Sequence, residues 1–227
     1  MSKHLETEIV KLKKEILAIG AVVEESLHKA VKALEERDEK LAKTVIDNDV
    51  EIDRMEVDME EECLKVLALY QPVASDLRLI VSILKINSDL ERIGDLAVNI
   101  AERAAFLSTQ EKINLPLDFP LMVEKTKTML RKSLDALVEG NSSLAHEVCV
   151  ADDEVDAINR HMYAQIQQAI KEHPEQVERL IHLLSTSRHL ERVADHATNV
   201  AEDVIYMIEG EIVRHRAEDY KAQLRRP

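Results

Sequence analysis

The stretch LERIGDLAVNIAE at residues 90–102 decides the fold, because it returns as LERVADHATNVAE at residues 190–202. The two copies lie one hundred residues apart, and eight of their thirteen positions are identical. Such agreement is rare by chance and indicates a duplicated structural unit. We therefore expect two similar halves, each built around one copy of this segment.

Apolar residues recur at spacings of three and four around both copies, which is typical of amphipathic helices. One regular run extends from Leu5 to Leu34. Pro72, Gly140 and Pro174 mark breaks between such runs, and Pro72 is expected in the first turn of the third helix. The sequence thus predicts an all-α fold of two tandem, sequence-related, antiparallel three-helix bundles. The predicted boundaries are residues 1–107 for the first bundle, 108–119 for a linker, 120–209 for the second bundle and 210–227 for a basic C-terminal tail.

Composition supports helices and excludes several classes of protein. The chain has 227 residues with only 4 Gly, 5 Pro and 3% aromatic residues, too few turn formers for hairpins. The net charge of -14 repels a phosphate backbone, so nucleic acid is not an expected partner. Neither a span of membrane length nor a signal peptide is visible, so we expect a cytoplasmic protein that is at most peripheral to a membrane.

A polar stripe on the third helix is the first candidate site. At 100 degrees per residue, Glu91, Asp95, Asn99 and Glu102 fall within about 80 degrees of one another. This stripe continues a face that is apolar one turn earlier, and the sixth helix repeats the arrangement from Glu191 onward. The carboxylates therefore sit on partly apolar faces rather than on fully solvated ones.

A second carboxylate pair precedes each stripe, on the neighbouring helix. The two pairs of each half lie about equally many residues before and after the turn that joins their helices. Antiparallel packing therefore places them at about the same level, roughly 30 Å from the turn. Four carboxylates drawn together need neutralisation, and oxygen ligands suit ions such as Mg, Ca, Mn and Fe. In the first half, Glu56 and Glu60 prolong the stripe. The predicted metal ligands are Asp49, Asp53, Glu91, Asp95, Asp152, Asp156, Glu191 and Asp195.

Other interpretations of the same residues remain open. The carboxylates can be ordinary solvated helix faces on a metal-free scaffold, or ligands of a carboxylate-bridged di-iron or iron-storage bundle. Such di-iron proteins typically use Glu-x-x-His pairs, which Glu191 and His196 do not form. We expect His189 and His196 to be exposed. No catalytic nucleophile array is visible, so we expect a protein that is not an enzyme.

The order and duplication of these motifs resemble the PhoU family, from about residue 5 to residue 208. The resemblance rests on Asp49-x-x-x-Asp53, the segment QPVASDLR at residues 71–78, Glu91-Arg92-Ile93-Gly94-Asp95 and the second-half counterparts. It implies two three-helix bundles whose paired acidic motifs bind multinuclear iron or zinc clusters. It also implies a cytoplasmic regulator that restrains phosphate uptake and the phosphate-starvation response. Its implied partners are the ATPase subunit of a phosphate-specific ABC transporter and a phosphate-sensing histidine kinase. A homodimer is expected from the sequence itself, because apolar faces on both sides of the third and sixth helices would permit one.

The second half departs from the family pattern at one place. Gln176-Val177-Glu178 stands where the first half has Asp76-Leu77-Arg78. The two clusters need not therefore have the same number of metal ions. The basic tail is a further candidate contact for a membrane surface or an acidic partner.

Overall fold

The computed structural model describes residues 3–113, 115 and 117–213, and the basic tail from residue 214 lies outside them. The described residues form six α-helices and contain no strand. A short 3-10 turn, Pro174–Gln176, leads into the last helix. The helices are α1 (Lys3–Glu36), α2 (Glu39–Tyr70), α3 (Ala74–Ser108), α4 (Phe119–Glu139), α5 (Ser142–Glu172) and α6 (Val177–Glu209).

Local residue chemistry explains where the helices begin and end. The Asp38 carboxylate accepts the backbone N–H groups of Lys40 and Leu41 at 2.9 and 3.0 Å, which caps α2. Gly140 and Gly210 close α4 and α6 in the left-handed conformation, with φ of 61° and 78°. Glycine adopts this left-handed conformation readily, whereas residues with a side chain rarely do.

The turn between α2 and α3 differs from the prediction. Pro72 precedes α3, and the helix begins only at Ala74, so the predicted place of Pro72 in the first turn is wrong. Gln71 closes α2 in the left-handed region at φ 45°, and Val73 is extended at φ -130°. Because Val73 is extended, Pro72 lies in the turn and not in the first turn of α3.

Each half forms a three-helix bundle, and the two bundles pack side by side. Helices α1, α2 and α3 form the first bundle, α4, α5 and α6 form the second, and α3 packs along α6. Lys85 near the middle of α3 contacts Asp203 near the end of α6, whereas Phe106 near the end of α3 stacks on His182 near the start of α6. The two central helices are therefore antiparallel, and one apolar core runs through both bundles.

The connection between the bundles is also packed. Leu115 and Leu117 lie on a smaller apolar cluster that contains Ile166 and Leu180. Arg37 donates hydrogen bonds to the carbonyl oxygens of Leu107 and Gln110 as the chain leaves α3. None of the helices in the described part of the chain combines the length and the apolar character that a membrane span requires.

Candidate functional site

The first candidate site is a groove between α2 and α3. A Cβ atom at Gly94 would lie only 3.2 Å from the Ile52 side chain and 3.8 Å from Oδ1 of Asp49. The missing side chain therefore lets α2 approach α3 closely, which places the Asp49 and Asp53 pair beside the Glu91 and Asp95 pair. We call this the first groove and define its acidic residues as Asp49, Asp53, Glu56, Glu60, Glu91 and Asp95.

Burial and mutual repulsion perturb the carboxyl groups of the first groove. Burial raises the pKa of Asp49, and the negative charges of Asp53 and Asp95 raise it further. Burial is also the main cause that raises the pKa of Glu91, with Asp95 and Glu56 adding to it and Arg92 opposing it. Negative charge is thus held here with little compensation.

The second groove, between α5 and α6, repeats the arrangement with Asp152, Asp156, Glu191 and Asp195. Asp195 keeps part of its surface in solvent, yet burial is the main cause that raises the pKa of its carboxyl to about 6. Glu191 and Asp152 contribute next, and His196 opposes the shift. The eight residues predicted as metal ligands therefore come together as two groups of four, one in each bundle.

The second groove is less acidic than the first. Asn159 and Tyr163 stand where the first groove has Glu56 and Glu60. Burial and the charge of Asp156 raise the pKa of Glu191, but Arg188 and Arg192 both oppose that rise. Arg160 also donates to Asp156 at 3.2 Å. The repeats thus share four carboxylates each but differ in the surrounding charge.

The donor chemistry fits a hard or borderline cation, since each groove brings four carboxylates together and its neighbouring arginines offset that charge only in part. In the described residues, however, no three His, Cys, Asp or Glu side chains are arranged to hold one metal ion. A metal would therefore require side-chain rotation, and Asp53 and Asp95 of the first groove are exposed. Such rotation is inexpensive because neither side chain is locked in the core.

Both grooves open on one face of the molecule. Because α3 and α6 are related by the repeat and run antiparallel, an approximate twofold axis passes between them, perpendicular to both helices. Rotation about this axis exchanges the two bundles but leaves their equivalent surfaces on the same side of the molecule. Helices α1 and α4 contact each other on the opposite side, where a Cβ at Gly20 would meet Leu134. The grooves therefore flank one seam between the bundles.

That seam between α3 and α6 contains polar contacts that sequence reasoning missed. Nδ1 of His196 lies 2.8 Å from Oδ1 of Asp89, and Nδ2 of Asn199 donates to the same oxygen at 3.0 Å. Lys85 pairs with Asp203, which is only 1% exposed. The α3–α6 seam thus adds polar contacts to the apolar core that the two bundles share.

The predicted exposure of His196 and His189 is wrong. The side chain of His196 is 16% exposed because it faces Asp89 across the seam. Burial, assisted by Arg103, lowers the pKa of His189 to about 4. One sequence signal does mark the seam, since Lys85, Asp89, Leu96 and Arg103 in one repeat become Ser185, His189, His196 and Asp203 in the other.

These features define a class of protein: a duplicated three-helix bundle that presents two acidic grooves on one face. A family model described as the PhoU domain matches residues 16–104 and 119–204. The chain belongs to the PhoU family.

Relatives match over nearly their whole length. The chain is 41% identical over 209 residues to a phosphate-specific transport system accessory protein PhoU homolog of Aquifex aeolicus, covering 92% of this chain and 95% of that protein. The crystal structure of PhoU from Pseudomonas aeruginosa is similar, with 36% identity and a TM-score of 0.87, over 91% and 99% of the two chains. That of the regulatory protein PhoU from Streptococcus pneumoniae has 30% identity and a TM-score of 0.82, over 92% and 99%.

Proposed function

We propose that this protein is a cytoplasmic, non-enzymatic regulator that restrains phosphate uptake and the phosphate-starvation response. It acts as an adaptor that links the ATPase subunit of a phosphate ABC transporter to a phosphate-sensing histidine kinase. The observation that carries this proposal is its match over nearly the full length of relatives named as phosphate-specific transport accessory proteins. The homodimer stays a prediction, which sedimentation at several protein concentrations tests.

The structure supplies a physical basis for an adaptor. One core runs through both bundles, so the two grooves keep a constant spacing on one face. A partner that contacts both grooves is therefore held in one orientation. The proposed metal ligands are the eight carboxylates of the two grooves, and a bound iron or zinc cluster would supply the positive charge that these carboxylates lack.

The regulatory proposal is tested by deleting the gene in its natural host. We expect uptake of labelled phosphate and expression of a starvation-gene reporter to rise in phosphate-rich medium. Restoring the wild-type gene should return both to their original level. Unchanged uptake and reporter expression after deletion would show that the protein does not restrain this system.

The metal proposal is tested by elemental analysis of protein purified without chelator from iron- or zinc-supplemented cells. The variant with Asp49→Asn, Asp53→Asn, Glu91→Gln and Asp95→Asn should lose the metal of the first groove and keep that of the second, which is intact. A control variant removes four exposed carboxylates of α2 outside the groove and should keep all of it. Its substitutions are Asp47→Asn, Glu51→Gln, Asp58→Asn and Glu61→Gln.

Protein without metal in every supplemented preparation would contradict the assignment and favour the metal-free scaffold. The di-iron alternative is less well supported, because His196 is held by Asp89 in the seam and is not directed at the second groove. Rapid aerobic oxidation of added ferrous iron would favour that alternative.

A further inference from the structure

The two ends of the α3–α6 seam differ in charge. At one end the ammonium of Lys85 pairs with Asp203, and Asp89 adds a second carboxylate. The approximate twofold axis exchanges the repeats, so the other end contains the equivalent positions of these three residues. The residues in those positions are Ser185, Arg103 and His189. One end therefore combines a cation with two carboxylates, whereas the other combines a cation with a hydroxyl and an imidazole.

Contacts across the seam bring the residues of the second end together. The rings of Phe106 and His182 stack with their centres 3.8 Å apart, and Arg103 lies one turn before Phe106 on α3. Oγ of Ser185 lies 3.1 Å from Nε2 of His189. Burial lowers the pKa of both histidines and the charge of Arg103 lowers each further, as expected for a guanidinium close to both rings. We call this the cationic end of the seam and define it by Arg103, His182, Ser185 and His189.

The positive charge at the cationic end is poorly compensated. The side chain of Arg103 is 29% exposed, and its one ion pair with a described residue is to the neighbouring Glu102 at 3.7 Å. An exposed pair of this kind contributes little. Arg188 and Arg192 add positive charge nearby, which Glu178 offsets only in part. In a chain with a net charge of -14, this end is a local reversal of sign.

The cationic end also offers more hydrogen-bond donors than acceptors. Nδ1 of His182 and Nδ1 of His189 are buried and have no hydrogen-bond partner within the described part of the chain. Buried polar atoms are nearly always paired, so two unpaired ones in the same place indicate a ligand. The guanidinium of Arg103 supplies several N–H donors in one plane, and the Ser185 hydroxyl and a neutral imidazole each supply one more. The missing group is therefore an acceptor with negative charge.

We infer that the cationic end of the seam binds one phosphoryl oxyanion, either free inorganic phosphate or the phosphate group of a phosphorylated partner protein. Such a group carries about two negative charges and has several strong acceptor oxygens, which suit a guanidinium surrounded by hydroxyl and imidazole donors. Because Arg103 belongs to α3 and the other three side chains to α6, the ligand would contact both bundles. The site uses none of the carboxylates proposed as metal ligands, and it goes beyond the proposed regulatory function.

The test measures binding of radiolabelled inorganic phosphate to the full chain by equilibrium dialysis, with the protein used as purified and its metal retained. We expect one phosphate per chain, because the carboxylates Asp89 and Asp203 repel an anion from the other end of the seam. Arg103→Gln should weaken binding about tenfold or more, since it removes charge-assisted hydrogen bonds. Ser185→Ala, which leaves the charge intact, should weaken it about threefold. Sulfate should compete with phosphate, and acetate should not.

A matched control separates this site from general attraction to positive charge. Arg131→Gln removes an exposed arginine of α4, away from the seam, and should change binding less than twofold. Equal losses in Arg103→Gln and Arg131→Gln would overturn the inference, as would a wild-type protein that does not bind phosphate. Circular dichroism confirms that each variant is folded. The milder Ser185→Ala gives the same comparison if Arg103→Gln does not fold.

Metal ions in the grooves are a competing site for phosphate, and the groove variants distinguish the two. The first-groove variant described above and its second-groove equivalent should both keep binding that depends on Arg103. The second-groove substitutions are Asp152→Asn, Asp156→Asn, Glu191→Gln and Asp195→Asn. Loss of phosphate binding in these variants, together with its retention in Arg103→Gln, would contradict the inference and assign the phosphate to the metal.

Two further probes identify the source of the oxyanion. A phosphoserine peptide and its unphosphorylated form are compared with inorganic phosphate in the same assay. Tighter binding of the phosphopeptide supports a phosphorylated partner, and tighter binding of inorganic phosphate supports the free ion. In either case Arg103→Gln should remove the binding. Equal binding of the two peptides would contradict recognition of the phosphate group.

The outcome is separable from that of the proposed function. If phosphate binding does not depend on Arg103 but gene deletion still raises phosphate uptake, only the oxyanion site is wrong. If binding does depend on Arg103 but deletion has no effect, the regulatory proposal is wrong.

Discussion

Asp195 and His196 are neighbours in sequence, yet α6 directs them to different environments. Asp195 lies in the second groove, where its burial and the charges of Glu191, Asp152 and Asp156 raise its pKa to about 6. His196 instead reaches Asp89 across the seam at 2.8 Å. One step of about 100 degrees around the helix separates a site of excess negative charge from a contact that joins the bundles.

The raised pKa of Asp195 predicts a pH-dependent stability. A carboxyl whose pKa rises from 3.8 to about 6 on folding disfavours its ionised form, so the fold loses stability as pH rises from about 4 to 6. Asp195→Asn should therefore raise the melting temperature at pH 7 and leave it nearly unchanged at pH 4. Thermal melts between pH 4 and 8 measure this difference.

Asp135→Asn is the control for that series, because Asp135 is an exposed carboxylate on α4, away from both grooves. It should shift the melting temperature little at any pH. An equal gain at pH 4 and pH 7 for Asp195→Asn would show that ionisation is not the cause. If a cation neutralises this groove, adding it should reduce the pH dependence of the wild type.

At the scale of the elements, the α3–α6 seam combines apolar packing with buried charge. Asp203 is 1% exposed and pairs with Lys85, whose ammonium also lies 5.8 Å from the centre of the Tyr206 ring. Buried pairs of this kind add modest stability but penalise every arrangement in which they are separated. The seam therefore fixes how far α3 is shifted along α6, and with it the spacing of the two grooves.

Removing the Lys85 charge should destabilise the protein. In Lys85→Met, the buried Asp203 carboxylate loses the ammonium that compensates it, and we expect the free energy of unfolding to fall by about 1–3 kcal/mol. Adding Asp203→Asn should recover part of that loss. Urea unfolding measures both, with Lys43→Met on the exposed surface of α2 as the control. A loss no larger than that of the control would show that the pair does not stabilise the seam.

At the scale of the whole molecule, α1 and α4 form a second contact between the bundles. A Cβ at Gly20 would lie 2.7 Å from Cδ2 of Leu134, which is closer than such atoms approach one another. Lys127 and His28 meet near the same crossing, with Nζ and Nδ1 2.6 Å apart. The two bundles are thus joined on both sides of the shared core.

The close approach of α1 and α4 predicts that substitutions at Gly20 and Leu134 have non-additive effects on stability. Gly20→Val should lower the free energy of unfolding by about 1–3 kcal/mol through overpacking. Combined with Leu134→Ala, which provides space, it should cost less than the sum of the two single changes by at least about 0.5 kcal/mol. Chemical denaturation of the four proteins gives this coupling. Ala21→Val, one residue away and exposed, should have little effect, and strictly additive losses would contradict the close approach.

Sequence reasoning predicted the parts of this molecule that depend on period and repetition. Helices, bundles and the grouping of four carboxylates in each half follow from the spacing of apolar residues and from counting along antiparallel helices. The prediction for His196 is wrong because the face of α3 and α6 that was expected to be solvated packs against the other bundle. A helical wheel shows that a face is polar but not whether another polar face lies against it.

The sequence by itself determined the six helices, their division into two repeats and the eight carboxylates, because each depends on spacing within one or two neighbouring helices. Only the tertiary structure decided that the two grooves share one face and that Asp89, His196, Lys85 and Asp203 lie in a seam. These features depend on the packing of α3 against α6. That packing joins residues about one hundred positions apart, beyond the reach of any local pattern.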